Sequence, residues 1–339
     1  MDKQPLVSVL IPNYNRGTLL AETLQSLLVQ GYANWEAIVV DDESSDNSDQ
    51  IGNEYANLDN RIKYFKRSRL PKGAPTCRNL AFDQSKGDFI IYLDSDDLLA
   101  PFCLEQRVKL ALSLPIFDFW VFPMLLFKED PHTATTLWNK SNGKPALIRF
   151  LQLDAVWQTS GPMWTRKSVN AIGGFTEGLA CWQDVDFHLM ALTKNLKYFI
   201  ADDLKPDIYY RQHISGSISQ GEINTPPKMQ SRQQIFFANA LALPQPVSQE
   251  INNALKVLGS NVVVGAIKAF NRPVVTESLK FGMKNKIFGI EDWLKFKLLH
   301  FLYLSRLQRI PPFSELSKRM LQHGKIESGI GKFTYQAPN

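Results

Sequence analysis

At 339 residues, with 44% hydrophobic and 21% charged side chains, the chain has an ordinary globular composition and enough length for about two domains. That balance excludes a disordered or collagen-like polypeptide. Its net charge of +5 is unevenly spread: residues 1–225 hold 22 Lys/Arg against 27 Asp/Glu (−5), and residues 226–339 hold 16 against 6 (+10). Such asymmetry suits an acidic active-site region joined to a basic surface for an anionic partner, either a lipid headgroup layer or nucleic acid. A solvated basic helical region fits it equally.

Residues 6–11 and 36–40 are short apolar, branched runs that predict buried strands. Between them Leu20, Leu24, Leu27 and Leu28 recur at helical spacing after the turn signal Asn15-Arg16-Gly17. Residues 62–65 and 89–93 predict further strands around a helix at 76–84. This alternation is the pattern of a mainly parallel α/β sheet. Next come an expected helix at 101–112, a strand at 119–127 interrupted by Pro123, and a long polar loop at 130–144 of the kind that carries acceptor specificity. A strand at 162–165, the turn Gly173-Gly174, a helix at 183–193 and strands near Tyr198 and Ile208 follow. Beyond residue 225 the sequence becomes helical and basic, which sets the expected boundary between regions 1–225 and 226–339.

Three cysteines, Cys77, Cys103 and Cys181, lack metal-type pair spacing, and so sparse and odd a count fits a reducing compartment. The polar lead Met1-Asp2-Lys3-Gln4-Pro5 runs into a short apolar stretch ending at Pro12, so neither a signal peptide nor a membrane span is expected there. The expected location is cytoplasmic.

The strongest chemical signal is Asp94-Ser95-Asp96-Asp97 at the end of the fourth strand. Three carboxylates in four residues repel one another unless a cation sits among them, and Mg²⁺ or Mn²⁺ takes such oxygen ligands while leaving room for phosphate oxygens. The carboxyl end of a strand is also where open α/β sheets hold ligands. An acidic turn before Pro101 would leave the same trace. The other strand tips are polar too: Pro12-Asn13-Tyr14-Asn15 and Asp41-Asp42-Glu43-Ser44-Ser45-Asp46. A carboxylate at Asp41 could accept the imide N–H of a uracil or thymine, although Asp and Ser also build turns.

Taken together, residues 7–15, Val39-Val40-Asp41-Asp42, Gly73 with Arg78-Asn79, and Leu93-Asp94-Ser95-Asp96-Asp97 resemble glycosyltransferase family 2. Downstream, Gly173-Gly174-Phe175, Trp182-Gln183-Asp184 and Tyr210-Arg211-Gln212-His213 with Ser217 resemble it as well, so the likeness runs over about residues 5–220. It implies a GT-A fold, a Rossmann-like mixed, mainly parallel sheet flanked by helices, here followed by a mainly helical C-terminal extension. It further implies inverting, metal-dependent transfer of a sugar from a nucleotide-diphosphate donor, with a UDP-sugar expected, to a hydroxyl of a saccharide or lipid-linked acceptor in polysaccharide or glycolipid synthesis. By that resemblance Pro12, Tyr14, Asn15, Asp41, Arg78 and Asp94 serve the donor, Asp96 and His213 hold Mn²⁺ or Mg²⁺, and Asp184 is the catalytic base. Gln183 departs from the acidic residue common at its position, and Asp186 is the rival base. A sugar-1-phosphate nucleotidyltransferase is the alternative enzyme, but it would carry a Gly-rich phosphate loop after its first strand, which Pro12-Asn13-Tyr14-Asn15-Arg16-Gly17 is not. A non-catalytic carbohydrate-binding module, or a nucleic-acid binder, rests only on the basic tail, and no nucleic-acid partner is expected.

Residues 287–310 mix Phe, Trp, Leu and Tyr with Lys295, Lys297, Arg306 and Arg309. Charges interrupt this stretch too often for a bilayer span. It suits a helix lying at a membrane interface, a peripheral contact on the inner face of the cell membrane, and it equally suits a helix packed on the catalytic region.

Overall fold

The computed structural model describes residues 4–212, 225–322 and 328–335. Strands and helices alternate at first: β1 (Val7–Asn13), α1 (Gly17–Leu28), β2 (Trp35–Asp41), α2 (Ser48–Leu58), β3 (Ile62–Lys66), α3 (Ala74–Gln84) and β4 (Phe89–Tyr92). The middle of the chain adds β5 (Leu98–Leu99), α4 (Cys103–Ser113), β6 (Phe119–Val121), β7 (Met124–Phe127), β8 (Thr136–Leu137), α5 (Ala146–Leu151), β9 (Pro162–Thr165), α6 (Arg166–Ile172), α7 (Gln183–Thr193), β10 (Tyr198–Ile200) and β11 (Ile208–Arg211). Helices α8 (Pro226–Ala242), α9 (Gln249–Lys268), α10 (Arg272–Lys284), α11 (Ile290–Leu304) and α12 (Phe313–Gln322) precede a last short strand, β12 (Phe333–Thr334).

The main sheet has seven strands in the order β10-β6-β9-β4-β1-β2-β3. Strands β3, β2, β1 and β4 run parallel, while β9 is antiparallel to both β4 and β6. Every residue of β1 and β2 is buried, as expected where helices cover both faces of a parallel sheet. Val7, Val9 and Ile11 point into one apolar layer with Leu20 and Leu24 of α1, and Leu10 points into the other with Ile38, Cys77 and Ile90. Polar groups inside these strands are paired: Ser8 Oγ donates to Glu36 Oε1 at 2.8 Å and accepts the Gly87 N–H at 2.8 Å. A Cβ on Gly87 would lie 2.5 Å from that hydroxyl, so only glycine permits this approach.

Two expectations are corrected. The strand foreseen at 119–127 is two strands, β6 in the main sheet and β7 in a second sheet of order β12-β8-β7-β11-β5. Pro123 lies at the break and donates no ladder bond there. The loop foreseen at 130–144 contains a short 3₁₀ turn (Pro131–Thr133) and β8, which pairs antiparallel with β7 on one side and β12 on the other. The C-terminal chain thereby returns to the first part, where Gly329 N–H donates to Asp154 Oδ1 at 2.9 Å. Helices α8 to α11 share one continuous apolar core with α3, α5 and α7.

A buried ion pair anchors the second sheet. Arg107 of α4 makes two bonds to Asp207, at 2.9 and 2.7 Å, and a third to the Ser160 carbonyl at 3.2 Å, with both charged side chains fully buried. It fixes the entrance of β11 against the segment before β9. In the other core layer, His188 of α7 lies among Phe150, Trp157 and Trp164, stacked on the last with ring centroids 6.0 Å apart. Neither of its ring nitrogens finds a hydrogen-bond partner among the described residues. Burial pushes its pKa down to about 3.

Asp207→Ala strands the Arg107 charge and is expected to lower unfolding free energy by about 3–5 kcal/mol in urea titration, whereas the double change Arg107→Met, Asp207→Leu costs far less. His188 binds a proton in the unfolded chain below its ordinary value of 6.5 but in the folded chain only near 3, so it withdraws stability as pH falls through that window. Replacement by Phe should flatten the pH dependence of the unfolding free energy from urea titration between those limits by an amount on the order of a few kcal/mol; an unchanged slope would refute the assignment.

Candidate active site

Parallel register brings the tips of β1, β2 and β4 to one edge: Asn13 is opposite Asp41, and Leu93, one residue past β4, donates its N–H to Leu10 of β1. There the first two tips are tied together. Asp41, 2% exposed, accepts from Asn13 Nδ2 at 2.8 Å and from the Ser44 N–H and hydroxyl at 2.8 and 2.6 Å. Asn15 has a left-handed backbone, φ 51°, and its Oδ1 accepts the Ser45 N–H at 2.7 Å. Pro12 is buried beneath, while Tyr14 is exposed with Lys72 Nζ lying 4.1 Å over its ring. The side-chain oxygen of Asn13 is buried without a partner among the described residues, an unused acceptor beside Asp41.

The acidic turn after β4 divides its charges by environment. Asp94 Oδ1 accepts from Arg78 at 2.7 Å and Oδ2 from Gln158 Nε2 at 3.0 Å. Asp97 is fully buried, taking the Ser160 hydroxyl and the Arg211 N–H, both at 3.1 Å. Burial, together with the charges of Asp96 and Asp94, raises its pKa well above the carboxylate norm. Asp96, like Asp94, is partly exposed, with Arg16 3.8 Å away and its main-chain oxygen held by Arg211 Nε at 3.0 Å. Among the described residues no three His, Cys, Asp or Glu side chains gather to hold a metal by themselves. Two partly exposed carboxylates, Asp94 and Asp96, are nonetheless a donor set suited to a hard cation that completes its shell with phosphate oxygens and water. His213 lies outside the described residues.

Arg78 connects this turn to α7. It is buried, lies 5.0 Å over the Phe175 ring, and reaches Gln183 Oε1 at 3.4 Å, while Gln183 Nε2 donates to the Leu179 carbonyl at 2.9 Å. Its neighbour Asn79 holds the loop from the other side through both hydrogen bonds to Phe175, at 2.8 and 2.9 Å, and a third to Glu177. Trp182, left-handed at φ 56°, turns that loop into α7 and sets Asp184 in the first helical turn. Asp184 is half-buried, and its pKa is raised by desolvation and by Asp94, against the lowering pull of a backbone N–H and of Arg78. Asp186, two residues on, is 3% exposed and turned into the protein, with one carboxylate oxygen lacking a partner among the described residues.

One side chain reports that these parts meet. Tyr210 of β11 feels the charges of Asp97, Asp94, Asp96 and Asp184 together, which with burial raise its phenol's pKa. Arg78, bound to Asp94 and reaching Gln183, holds the acidic turn beside the first turn of α7. Two contributors, Gln158 and Ser160, escaped the sequence reading of the site, and Tyr210 and Arg211, quoted there within a motif, were given no role. The run Gln158-Thr159-Ser160-Gly161, buried throughout just before β9, was the available signal, since buried polar residues need partners.

Residues 8–170 match the glycosyl transferase family 2 model. Among curated relatives, a UDP-Glc:alpha-D-GlcNAc-diphosphoundecaprenol beta-1,3-glucosyltransferase, WfgD, from Escherichia coli is 40% identical over 108 residues, 32% of this chain and 42% of that protein. A GalNAc(5)-diNAcBac-PP-undecaprenol beta-1,3-glucosyltransferase from Campylobacter jejuni is 37% identical over 107 residues, 32% of this chain and 35% of that one. The chain thus spans less than half the length of these relatives. Among solved structures, S. aureus TarS 1-349 in complex with UDP-GlcNAc superposes with a TM-score of 0.67 at 18% identity, covering 93% of this chain and 91% of that one. The mannosyltransferase PcManGT from Pyrobaculum calidifontis, in complex with GDP-Man and Mn2+, gives 0.52 at 16% identity over 94% of this chain and 85% of its own. The fold is GT-A, and residues 8–170 form a glycosyl transferase family 2 segment.

Proposed function

We propose that the protein is an inverting, metal-dependent glycosyltransferase that moves a sugar from a UDP-sugar to a hydroxyl of a lipid-linked saccharide. The observation that carries this reading is the bridge by which Arg78 binds Asp94 of the acidic turn at 2.7 Å and reaches Gln183, next to Asp184, at 3.4 Å. Names of the relatives support the substrates: one carries UDP-Glc and a diphosphoundecaprenol acceptor in its name, and TarS was solved with UDP-GlcNAc. A lipid-linked acceptor is reached at a membrane surface, where the basic C-terminal helices would make a peripheral contact.

In this mechanism the base edge sits beside Asp41 and Asn13, whose fixed hydrogen-bonding groups select it. Asp96, with Asp94 beside it, would hold Mn²⁺ or Mg²⁺, and His213 would join them. When bound, the ion supplies positive charge against the diphosphate and against the negative charge that grows on it as the glycosidic bond breaks. Arg78 pairs with Asp94 and holds it in place, and adds positive potential behind the donor. Asp184 takes the acceptor hydroxyl's proton from the face opposite the leaving group. Its raised pKa brings it closer to useful base strength at neutral pH, and Gln183, being neutral, contributes no second negative charge to it.

Asp184→Asn should retain UDP binding by calorimetry and lose sugar transfer by a factor on the order of a hundred or more. Equal turnover would pass the role to another group. Asp96→Ala should abolish the Mn²⁺ dependence of UDP-sugar binding; an unaltered titration with the metal would count against Asp96 as its ligand. Because only ionised Asp184 accepts a proton, kcat/KM should climb with pH through an inflection above the ordinary aspartate value of 3.8, and the climb should vanish from residual Asp184→Asn turnover.

A further inference from the structure

Helix α11 is apolar on two opposite faces. Phe296, Leu299 and Leu302 are buried in the protein, and the helix packs on α9, α10 and α12 through that side. Ile287 and Phe288, just before it, are buried as well. Of the apolar residues in 287–310, these five are therefore unavailable to any partner. On the other side Ile290, Leu294, Leu298 and Phe301 stand 62, 56, 44 and 59% exposed. At about 100° per residue the four fall within an arc of about 80°, a continuous stripe along the helix. Ile310, Phe313 and Leu316 add exposed apolar surface at and before α12, which packs against α11.

Charge identifies what the stripe fits. Between residues 284 and 319 seven Lys or Arg side chains are exposed, against the exposed acids Glu291 and Glu315 alone. Lys297 rises at the edge of the stripe, its ammonium 5.5 Å over the Trp293 ring. A long stem laid along apolar surface with its charge at the end suits a layer that is apolar inside and anionic at its boundary. A second copy of the chain would bring two positive rims together across the same contact, which repels. A span is excluded for this element, because among the described residues no helix is long and apolar enough to cross a membrane.

We infer that the Ile290-Leu294-Leu298-Phe301 face of α11 is a docking surface for an anionic lipid bilayer, inserting its apolar side chains at the headgroup boundary while Lys297 and the surrounding basic residues hold acidic headgroups. This deepens the proposed function and rests on it for its purpose, since a lipid-linked acceptor is met at such a surface.

The test is co-sedimentation of the full chain with phosphatidylcholine vesicles, with or without phosphatidylglycerol. Binding is expected only with phosphatidylglycerol, and should weaken as salt rises. The triple change Leu294→Ser, Leu298→Ser, Phe301→Ser should reduce it at least tenfold, and Lys297→Glu alone should reduce it measurably, with unaltered thermal unfolding in both. Absence of parent binding, or equal binding by the triple variant, overturns the inference. So does a parent dimer in sedimentation velocity that the triple variant abolishes, which would assign the face to a second copy. UDP calorimetry with Mn²⁺ on the same preparations separates the two readings: a chain that binds UDP but not vesicles rejects the docking surface alone, and one that binds vesicles but not UDP rejects the transferase reading alone.

Discussion

Four carboxylates, Asp94, Asp96, Asp97 and Asp184, crowd one poorly solvated cleft, and much of the surrounding architecture makes that tolerable. Like charges at such range cost several kcal/mol unless they are neutralised, paired or protonated. Arg78 pairs Asp94, burial and the neighbouring charges of Asp96 and Asp94 keep Asp97 toward its protonated form against the pull of its bonds from Ser160 and the Arg211 N–H, and α7 lets Asp184 share the field of Arg78. Asp96, with Arg16 near it, completes the turn.

The supports for this arrangement come from far along the chain, and each is anchored by burial. Gln158 and Ser160 reach the acidic turn because the segment before β9 is held by Arg107, which also grips Asp207 at the entrance of β11. One buried guanidinium thus sets the spacing between two partners of the same turn. On the opposite side the segment between Gly173 and Trp182 is pinned by Asn79 and by Gln183, so the Arg78-Asn79 pair works in two directions at once. A neutral amide at position 183 keeps that bridge without adding a fifth carboxylate to the cleft.

Much of this was legible in the residues. The apolar runs of β1, β2 and β4 are so continuous that only a sheet covered on both faces accommodates them, and a parallel arrangement then puts Asn13, Asp41 and Asp94 on one edge. Periodicity reports neighbours along the chain and is silent on which sheet a strand joins. For that reason residues 119–127 read as one strand although they serve two sheets, and the short β8 hid within polar sequence. Partners such as Gln158 and Tyr210 are fixed by tertiary contact alone. The two faces of α11 illustrate the same limit: an apolar, charge-interrupted helix reads identically whether its hydrophobic side chains are buried or not, and here both halves of that description hold.

The pairing of Phe333 with Leu137 has a consequence for how the chain matures. Until residues 333–334 have left the ribosome, β8 is an edge of the sheet that carries β11, and that unpaired edge is available to other strands. Closing it requires a contact of very large sequence separation, a slow event because loop entropy must be lost before any bond forms. The parallel half of the molecule, built from neighbouring segments, can be complete much earlier, so newly made protein passes through a stage in which one sheet is finished and the other waits for its last strand.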